Sequence, residues 1–370
     1  MIEYIFILTA LVLLVLHGCI YYYVWNGMNG PQEQNSEEEQ SFSIIIAARN
    51  EELHLPRCLA SIGHIKYPAS KFETIVVDDR STDATAAIVR KAAQQHSTIS
   101  LVTIESNASD MPHKKNALAA GIQAAHFPIL VFTDADCIVP PEWLQNISRE
   151  YSDTVGAVAG YSPSDLEHTS FLARMFLHYE ELKNSIIAYS GVRRKRAFMC
   201  TGRNFSYRRN VYDELGGFEK IKHSVSGDDD LFLQLIQKET RWEIRYMPSL
   251  RSAVITSPPA SLQQFVRQRI RHISASKFYS PGIQLFFSIS HVLTIILLVG
   301  FFVAPLPMLI LFLAKINIDG LIVAKGTPLF EEKVSIIEFF IGEILIPIYH
   351  LIIGPLGLFV PFGWKEKQVP

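Results

Sequence analysis

Four stretches of this chain are almost wholly apolar, and the long segment between the first two alternates short buried-strand runs with amphipathic helix patterns. Residues 5–23 form the first stretch, nearly uncharged and long enough to cross a bilayer, which takes about 20 helical residues. The others are 286–302, then 305–323 (broken by Lys315 and Asp319), then 336–362 (broken by Glu338, Glu343, Pro347 and Pro355). The first stretch lacks a basic leader and a small-residue cleavage site, which favours a retained anchor over a cleaved signal peptide. Between the apolar ends, strands are predicted at 43–47, 74–77, 100–104 and 129–133. Helices are predicted at 53–62, 83–96 and 116–125, with Ser81 and Asp83 as caps of the second. Continuous apolar runs separated by helices predict an α/β fold whose parallel sheet is covered on both faces. Ligands of such sheets bind at the carboxyl ends of the strands.

These patterns divide the chain into a transmembrane anchor (1–25), an acidic linker (26–41), an α/β domain (42–260), an amphipathic interfacial helix (261–280) and a C-terminal membrane region (281–370). The last holds two to three transmembrane or re-entrant segments. The linker carries Gly30, Pro31 and the cluster Glu33, Glu37, Glu38 and Glu39, a solvated tether. Lys325 and Lys333 lie between the third and fourth apolar stretches. Positive loops favour the cytosol, which places the α/β domain inside and the N-terminus outside. Lys365 and Lys367 fit that arrangement less well. The formal charge of −2 excludes a global pull toward nucleic acid. Cys19, Cys58, Cys137 and Cys200 lack metal-ligand spacing and read as reduced thiols.

Polar clusters fall at the predicted strand ends. Ala48, Arg49, Asn50, Glu51 and Glu52 follow the first strand, Asp78 to Asp83 the second, and Asp134 and Asp136 the fourth. Three acidic groups at one sheet edge repel one another unless a cation or a hydrogen-bonding ligand compensates them. Asp134 and Asp136 flank one residue, so an extended chain turns both carboxylates to one side; they suit Mg²⁺ or Mn²⁺, or form a plain polar turn. Asp228, Asp229 and Asp230 precede a helix predicted at 231–238. They read as a capping cluster or as the source of a general base. A further helix at 265–272 has an apolar stripe of Leu262, Phe265, Val266, Ile270 and Ile273, and sets Gln268 and Arg271 on one face. It lies on a membrane surface, or turns those two residues toward a phosphate ligand. Arg193 to Arg196 is a run of four cations, read as a lipid contact or a solvated face.

In order, these pieces resemble the membrane-bound branch of the family 2 glycosyltransferases, which have the GT-A fold, a Rossmann-like nucleotide-diphospho-sugar transferase domain. That branch includes cellulose, chitin and hyaluronan synthases and ceramide glucosyltransferases. The resemblance covers about residues 42–279. It implies that Ala48, Arg49, Asn50 and Glu51 border the nucleotide, and that Asp78 and Asp79 are the pair of which one holds the base, usually uracil. It makes Lys114 the lysine near the donor, Asp134 and Asp136 the metal-binding pair and Asp134 a donor contact. Gly202, Asn204 and Asp229 fall on the acceptor side, Asp228 aligns with the catalytic base, and Gln268 and Arg271 match a Gln-x-x-Arg-Trp motif at the donor. Three positions depart from the pattern. Arg80 stands where glycine is frequent, His113 replaces a glycine, and His272 replaces the acceptor-holding tryptophan of processive enzymes.

The resemblance therefore implies an inverting, metal-dependent glycosyltransferase using Mg²⁺ or Mn²⁺, integral to the inner or plasma membrane, with a cytosolic catalytic domain. Its expected partners are a nucleotide-sugar donor, by resemblance a UDP-sugar, a lipid or glycan acceptor, and the membrane, with no nucleic acid. The His272 departure favours single addition over chain polymerisation. The competing expectations are a processive polysaccharide synthase serving the cell envelope and a non-catalytic membrane scaffold with the same fold. A transporter with a cytosolic domain is the remaining rival, with Glu338 and Glu343 as its intramembrane charges.

Overall fold

A computed structural model of the chain describes residues 1–30, 36, 38–105 and 110–359. Pro31, Glu33 and Glu37 of the linker, the last residues of the fourth apolar stretch, and Lys365 and Lys367 lie outside the described residues. In chain order the elements are α1 (Ile2–Gly27), β1 (Phe42–Ala48), α2 (Leu55–Gly63), β2 (Phe72–Asp79), α3 (Thr85–Gln95), β3 (Ile99–Ile104), α4 (His113–Ala124), β4 (Ile129–Phe132), β5 (Cys137–Ile138), α5 (Trp143–Glu150), β6 (Val155–Gly160), α6 (Phe171–Arg193), β7 (Phe205–Arg208), α7 (Arg209–Leu215), α8 (Asp230–Glu239), β8 (Glu243–Met247), β9 (Ile255–Thr256), α9 (Leu262–Ser276), α10 (Pro281–Gly300), α11 (Pro305–Gly326) and α12 (Ile336–Phe359). They form two compact units. One gathers Met1–Pro31, Glu167–Arg194 and Pro259–Val360; the other gathers Gln32–Leu166 and Lys195–Pro258. The sequence reading left α6 inside the α/β domain, but it groups with the helices because its side chains answer their buried charges.

In the α/β unit a seven-stranded sheet has the order β3-β2-β1-β4-β7-β6-β8. The first four strands are parallel, as the alternation of strand and helix implies. β7 then pairs antiparallel with both β4 and β6, and β8 runs parallel to β6. All seven residues of β1 are buried, so both faces of the sheet are covered. Helix α4 rides unusually close to that sheet. A Cβ on Gly121 would come within 2.6 Å of Ile45 and 3.0 Å of Val77. Glycine inside a helix costs about 1 kcal/mol relative to alanine, and here it is retained for contact rather than for backbone freedom. The short β5 pairs with β9 in a separate two-stranded ribbon.

The helical unit contains four helices long and apolar enough to cross a membrane: Ile2–Gly27, Pro281–Gly300, Pro305–Phe330 and Ile336–Gly357. The charges that interrupt their sequences are buried within the protein. Asp319 and Glu343 are buried, and so is Lys315. Lys315 Nζ lies 2.7 Å from Asp319, one turn along the same helix, and 2.5 Å from Glu343 on α12. Lys183 on α6 reaches Glu343 at 2.5 Å and Asp319 at 3.4 Å. His17 on α1 approaches Asp319 at 3.4 Å, and the Tyr179 hydroxyl donates to Glu343 at 2.6 Å. Ion pairs withdrawn from water need such multiple partners to offset desolvation. Arg269 of α9 is likewise turned inward, 2.6 Å from Glu180 and over the rings of Phe265 and Tyr349. Leu262, expected in the apolar stripe of α9, is 78% exposed instead; it is the first residue of the helix, ahead of the turns that pack.

His178 on α6 contacts Glu338 and lies 3.3 Å from Glu332. Burial opposes its charge, but the two carboxylates outweigh that and raise its pKa from 6.5 to about 9. A raised folded-state pKa gives stability that is complete below the unfolded value and is lost as pH rises through the folded one. The melting temperature in detergent is therefore expected to fall between pH 6.5 and about 9. A His178→Asn variant should start lower and lose that slope; an unchanged slope would remove His178 as its source.

Candidate functional site

The acidic clusters meet at the carboxyl edge of the parallel strands in the α/β unit. Asp134 and Asp136 follow β4, and their carboxylates lie with the Cys137 thiol so that the ligand atoms fall within 4.8 Å of one another. They do not converge by strand alternation as the spacing suggested. The chain leaves β4 after Phe132 and turns, with Cys137 N–H donating to Asp134 O at 3.2 Å. Cys137 is fully buried. Burial, reinforced by the negative Asp136 and Asp134, pushes its thiol well above the usual range, so it stays protonated and donates toward Asp136 Oδ1. The two carboxylates offer hard oxygens, which suit Mg²⁺ or Mn²⁺.

Lys114, in the first turn of α4, bridges two of the acidic clusters. Its Nζ lies 3.2 Å from Asp134 and 3.1 Å from Asp228. Burial alone would raise both carboxyls; Lys114 outweighs it and holds each below the usual carboxylate range, with Lys115 adding to the effect at Asp228. The adjacent aspartates have other work. Asp229 caps α8 through the Asp230 N–H at 2.8 Å and accepts the Gly202 N–H at 2.9 Å. Burial and the neighbouring Asp228 push its carboxyl up. Asp230 accepts the Cys200 N–H at 2.8 Å. The cluster divides its contacts: Asp229 and Asp230 hold backbone, and Asp228 faces the lysine.

Lys115, the next residue along α4, has a separate role. It is fully buried, and its ammonium donates to Ser224 O at 2.6 Å and Ser226 O at 2.8 Å. It latches the loop that delivers Asp228. Burial lowers its pKa, against the pull of Asp228 and Asp229. No spacing rule separates the fully buried Lys115 from the partly buried Lys114, so the sequence carried no signal for this.

The first two strand ends are stitched together. Asn50 N–H donates to Ser81 Oγ at 3.0 Å and Thr82 N–H donates to Asn50 Oδ1 at 2.9 Å. Glu51 N–H donates to Thr85 Oγ1 at 2.8 Å, and Glu52 N–H to Asp83 at 3.1 Å. Ser81 thus receives a neighbouring loop instead of capping α3, while Asp83 accepts the Thr85 N–H at 3.0 Å. Ala48 ends β1 opposite Asp78. Asp78 and Asp79 are almost fully buried. Asp79 accepts from Arg80 Nε at 2.8 Å and lies 3.5 Å from Arg49, so it orients two guanidiniums rather than facing outward.

Asn204, expected on the acceptor side, is 1% exposed. Its carbonyl accepts the Trp143 indole N–H at 3.0 Å, and its amide donates to Tyr161 O and Ser252 O at 2.8 and 3.0 Å. With those partners it braces the sheet, and Gly160 beside it has no room for a Cβ, which would come within 2.3 Å of the amide. Gly202 lies in a 3₁₀ turn before β7, its N–H held by Asp229. Lys114, Leu118, Phe132, Asp134, Gly202 and Asp228 line a common cleft. Gln268, Arg271 and His272 lie on α9 of the helical unit, where Arg271 contacts His272 at 3.2 Å.

The sheet order and the carboxylates at its edge are those of a GT-A type nucleotide-diphospho-sugar transferase domain. Residues 39–275, more than half of the chain, match the family described as Glycosyltransferase like family 2, and the chain belongs to that family. It is 27% identical over 274 residues to the probable glycosyltransferase YdaM of Bacillus subtilis, covering 71% of this chain and 62% of that protein. It is 23% identical over 230 residues to the beta-monoglucosyldiacylglycerol synthase of a Nostoc species, covering 60% and 47%. The chain thus spans less than two thirds of the length of these relatives. Among solved structures, it is similar to the mannosyltransferase PcManGT from Pyrobaculum calidifontis in complex with GDP-Man and Mn²⁺. The TM-score is 0.58 at 20% identity, over 94% of this chain and 99% of that one.

Asn204→Ala should strand a buried indole N–H and two buried carbonyls, a loss of about 3 kcal/mol. Chemical denaturation would register it as a lower midpoint; an unchanged midpoint would return Asn204 to a ligand-binding role.

Proposed function

We propose that the protein is an inverting glycosyltransferase that moves one sugar from a nucleotide-sugar donor, a UDP-sugar, to a lipid-linked or membrane-proximal acceptor. The observation that carries this is the position of Lys114, whose ammonium reaches both the Asp134 carboxylate and the buried Asp228. One group prepared to stabilise a leaving diphosphate therefore stands beside one prepared to take a proton. Family membership supports the transferase class, and the relative named for glucosyldiacylglycerol favours a lipid acceptor.

In this reading Asp134 and Asp136 hold a divalent ion, Mg²⁺ or Mn²⁺, whose chemistry is to neutralise charge on the departing nucleoside diphosphate as a Lewis acid. Lys114 adds a fixed positive charge in the same cleft. Asp228 accepts the acceptor hydroxyl proton as that oxygen attacks the anomeric carbon. A single displacement turns an α-linked donor into a β-linked product. The carboxyl of Asp228, held low by Lys114 and Lys115, is ionised at neutral pH and ready to act. The four apolar helices would place the chemistry at the membrane, with the α/β unit on the cytosolic side that Lys325 and Lys333 favour.

Purified protein in detergent, given Mn²⁺ or Mg²⁺, a membrane-lipid extract and UDP-sugars, is expected to release UDP. Asp136→Ala should abolish that release together with Mn²⁺ binding followed by electron paramagnetic resonance. Release that persists, or metal binding that survives, removes Asp136 from the metal site. A product with more than one added sugar would replace single addition with polymerisation. Asp228→Asn keeps the shape and removes the base, and should lower kcat by about 10²- to 10⁴-fold with little change in UDP affinity. Full activity in this variant would displace Asp228 from the base role.

A further inference from the structure

Arg80 and His113, two of the three departures from the family pattern, touch each other. Arg80 Nη2 lies 2.7 Å from His113 Nδ1, while its Nε donates to Asp79 Oδ1 at 2.8 Å. A guanidinium has only donors, so His113 Nδ1 is the acceptor in this contact. Asp79 is almost completely buried, whereas the Arg80 side chain is 27% exposed. Among the described residues nothing engages Arg80 Nη1. The guanidinium is therefore clamped by two partners and still offers a donor edge.

Backbone conformation adds an independent argument. Arg80 sits at φ +55°, a left-handed region where a side chain is strained and glycine is not. Strain of this kind persists where the side chain has a use. The position also belongs to the site: from Arg49 through Asp79, Arg80 and His113 to Lys114 and its carboxylates, contacts and chain neighbours run without a break along the sheet edge.

Resting on the transferase reading above, we propose that Arg80 binds the nucleoside diphosphate of the donor through its exposed N–H edge and that His113 is a positioning residue that fixes its angle. The matching chemistry is an oxygen acceptor, either a carbonyl of the base or a phosphate oxygen, since a planar fork of donors suits both. Asp79 serves as the buried anchor for the guanidinium.

The test is calorimetric binding of UDP and UMP, with GDP as a second probe, to the full chain in detergent with Mn²⁺, alongside thermal melting. Arg80→Gly relieves the backbone strain but takes one of two cations from buried Asp79; measured well below its melting temperature, UDP binding should weaken about tenfold or more, the range for losing a charge-assisted hydrogen bond. Arg80→Lys should recover only part of the loss, because a point charge lacks the fork. His113→Gly should weaken binding less, and the double variant Arg80→Gly/His113→Gly no more than Arg80→Gly alone. Equal losses for UDP and UMP assign the contact to the base or first phosphate; a loss confined to UDP assigns it to the second. Arg80→Gly binding within twofold of the parent, or additive effects in the double variant, would overturn the proposal. A parent protein that binds neither UDP nor GDP would bring down the transferase reading and this inference together.

Discussion

Everything at the sheet edge depends on one ammonium group. Asp134 and Asp228 come from opposite halves of the α/β unit and are brought together with like charge, a position that raises the energy of both. Lys114 between them turns that repulsion into attraction. Its placement rests on α4, whose close seat on β1 and β2 exists because Gly121 carries no side chain. The next residue, Lys115, holds the far partner's loop by its carbonyls. Two adjacent lysines thus perform separate tasks: one compensates carboxylates, and the other fixes the backbone that presents one of them.

The remaining carboxylates show the same economy of charge. Asp79 is paired with Arg49 and Arg80, Asp229 accepts the N–H groups of Asp230 and Gly202, and Asp230 accepts the N–H of Cys200. The loops after β1 and β2 are cross-bonded through Asn50, Ser81, Asp83 and Thr85. A site assembled this way is rigid before any ligand arrives, which is the condition for electrostatic groups to act without reorganising.

The first half of the α/β unit was legible because its strands are continuous runs of Ile and Val, a pattern that only two covered faces explain. The polar residues after each run then fell where a parallel sheet puts its ligands. The second half gave no such signal. β6 is built from Val, Gly and Ala, bulges at Gly156 where Trp242 lies against it, and pairs with a four-residue β7. Small residues and short strands carry too little periodicity to be read. Asn204 was placed by motif, and only its three buried partners reveal a bracing role. Arg80 and His113 were visible as departures, but that they meet across a gap of 33 residues follows from the register of β2 against α4 and not from spacing.

The buried ion cluster of the helical unit constrains the order in which that unit can come together. α11 carries Lys315 and Asp319 one turn apart, so in a bilayer it would bring its charges already matched. α12 has no such internal match: the partners of Glu343 are Lys183 on α6 and Lys315 on α11. A lone acidic side chain at bilayer depth costs about 3 kcal/mol on insertion scales. In a bilayer α12 would therefore depend on α6 and α11 for the partners of Glu343, and the charge that looks like a defect in its sequence would act as the check that they are in place.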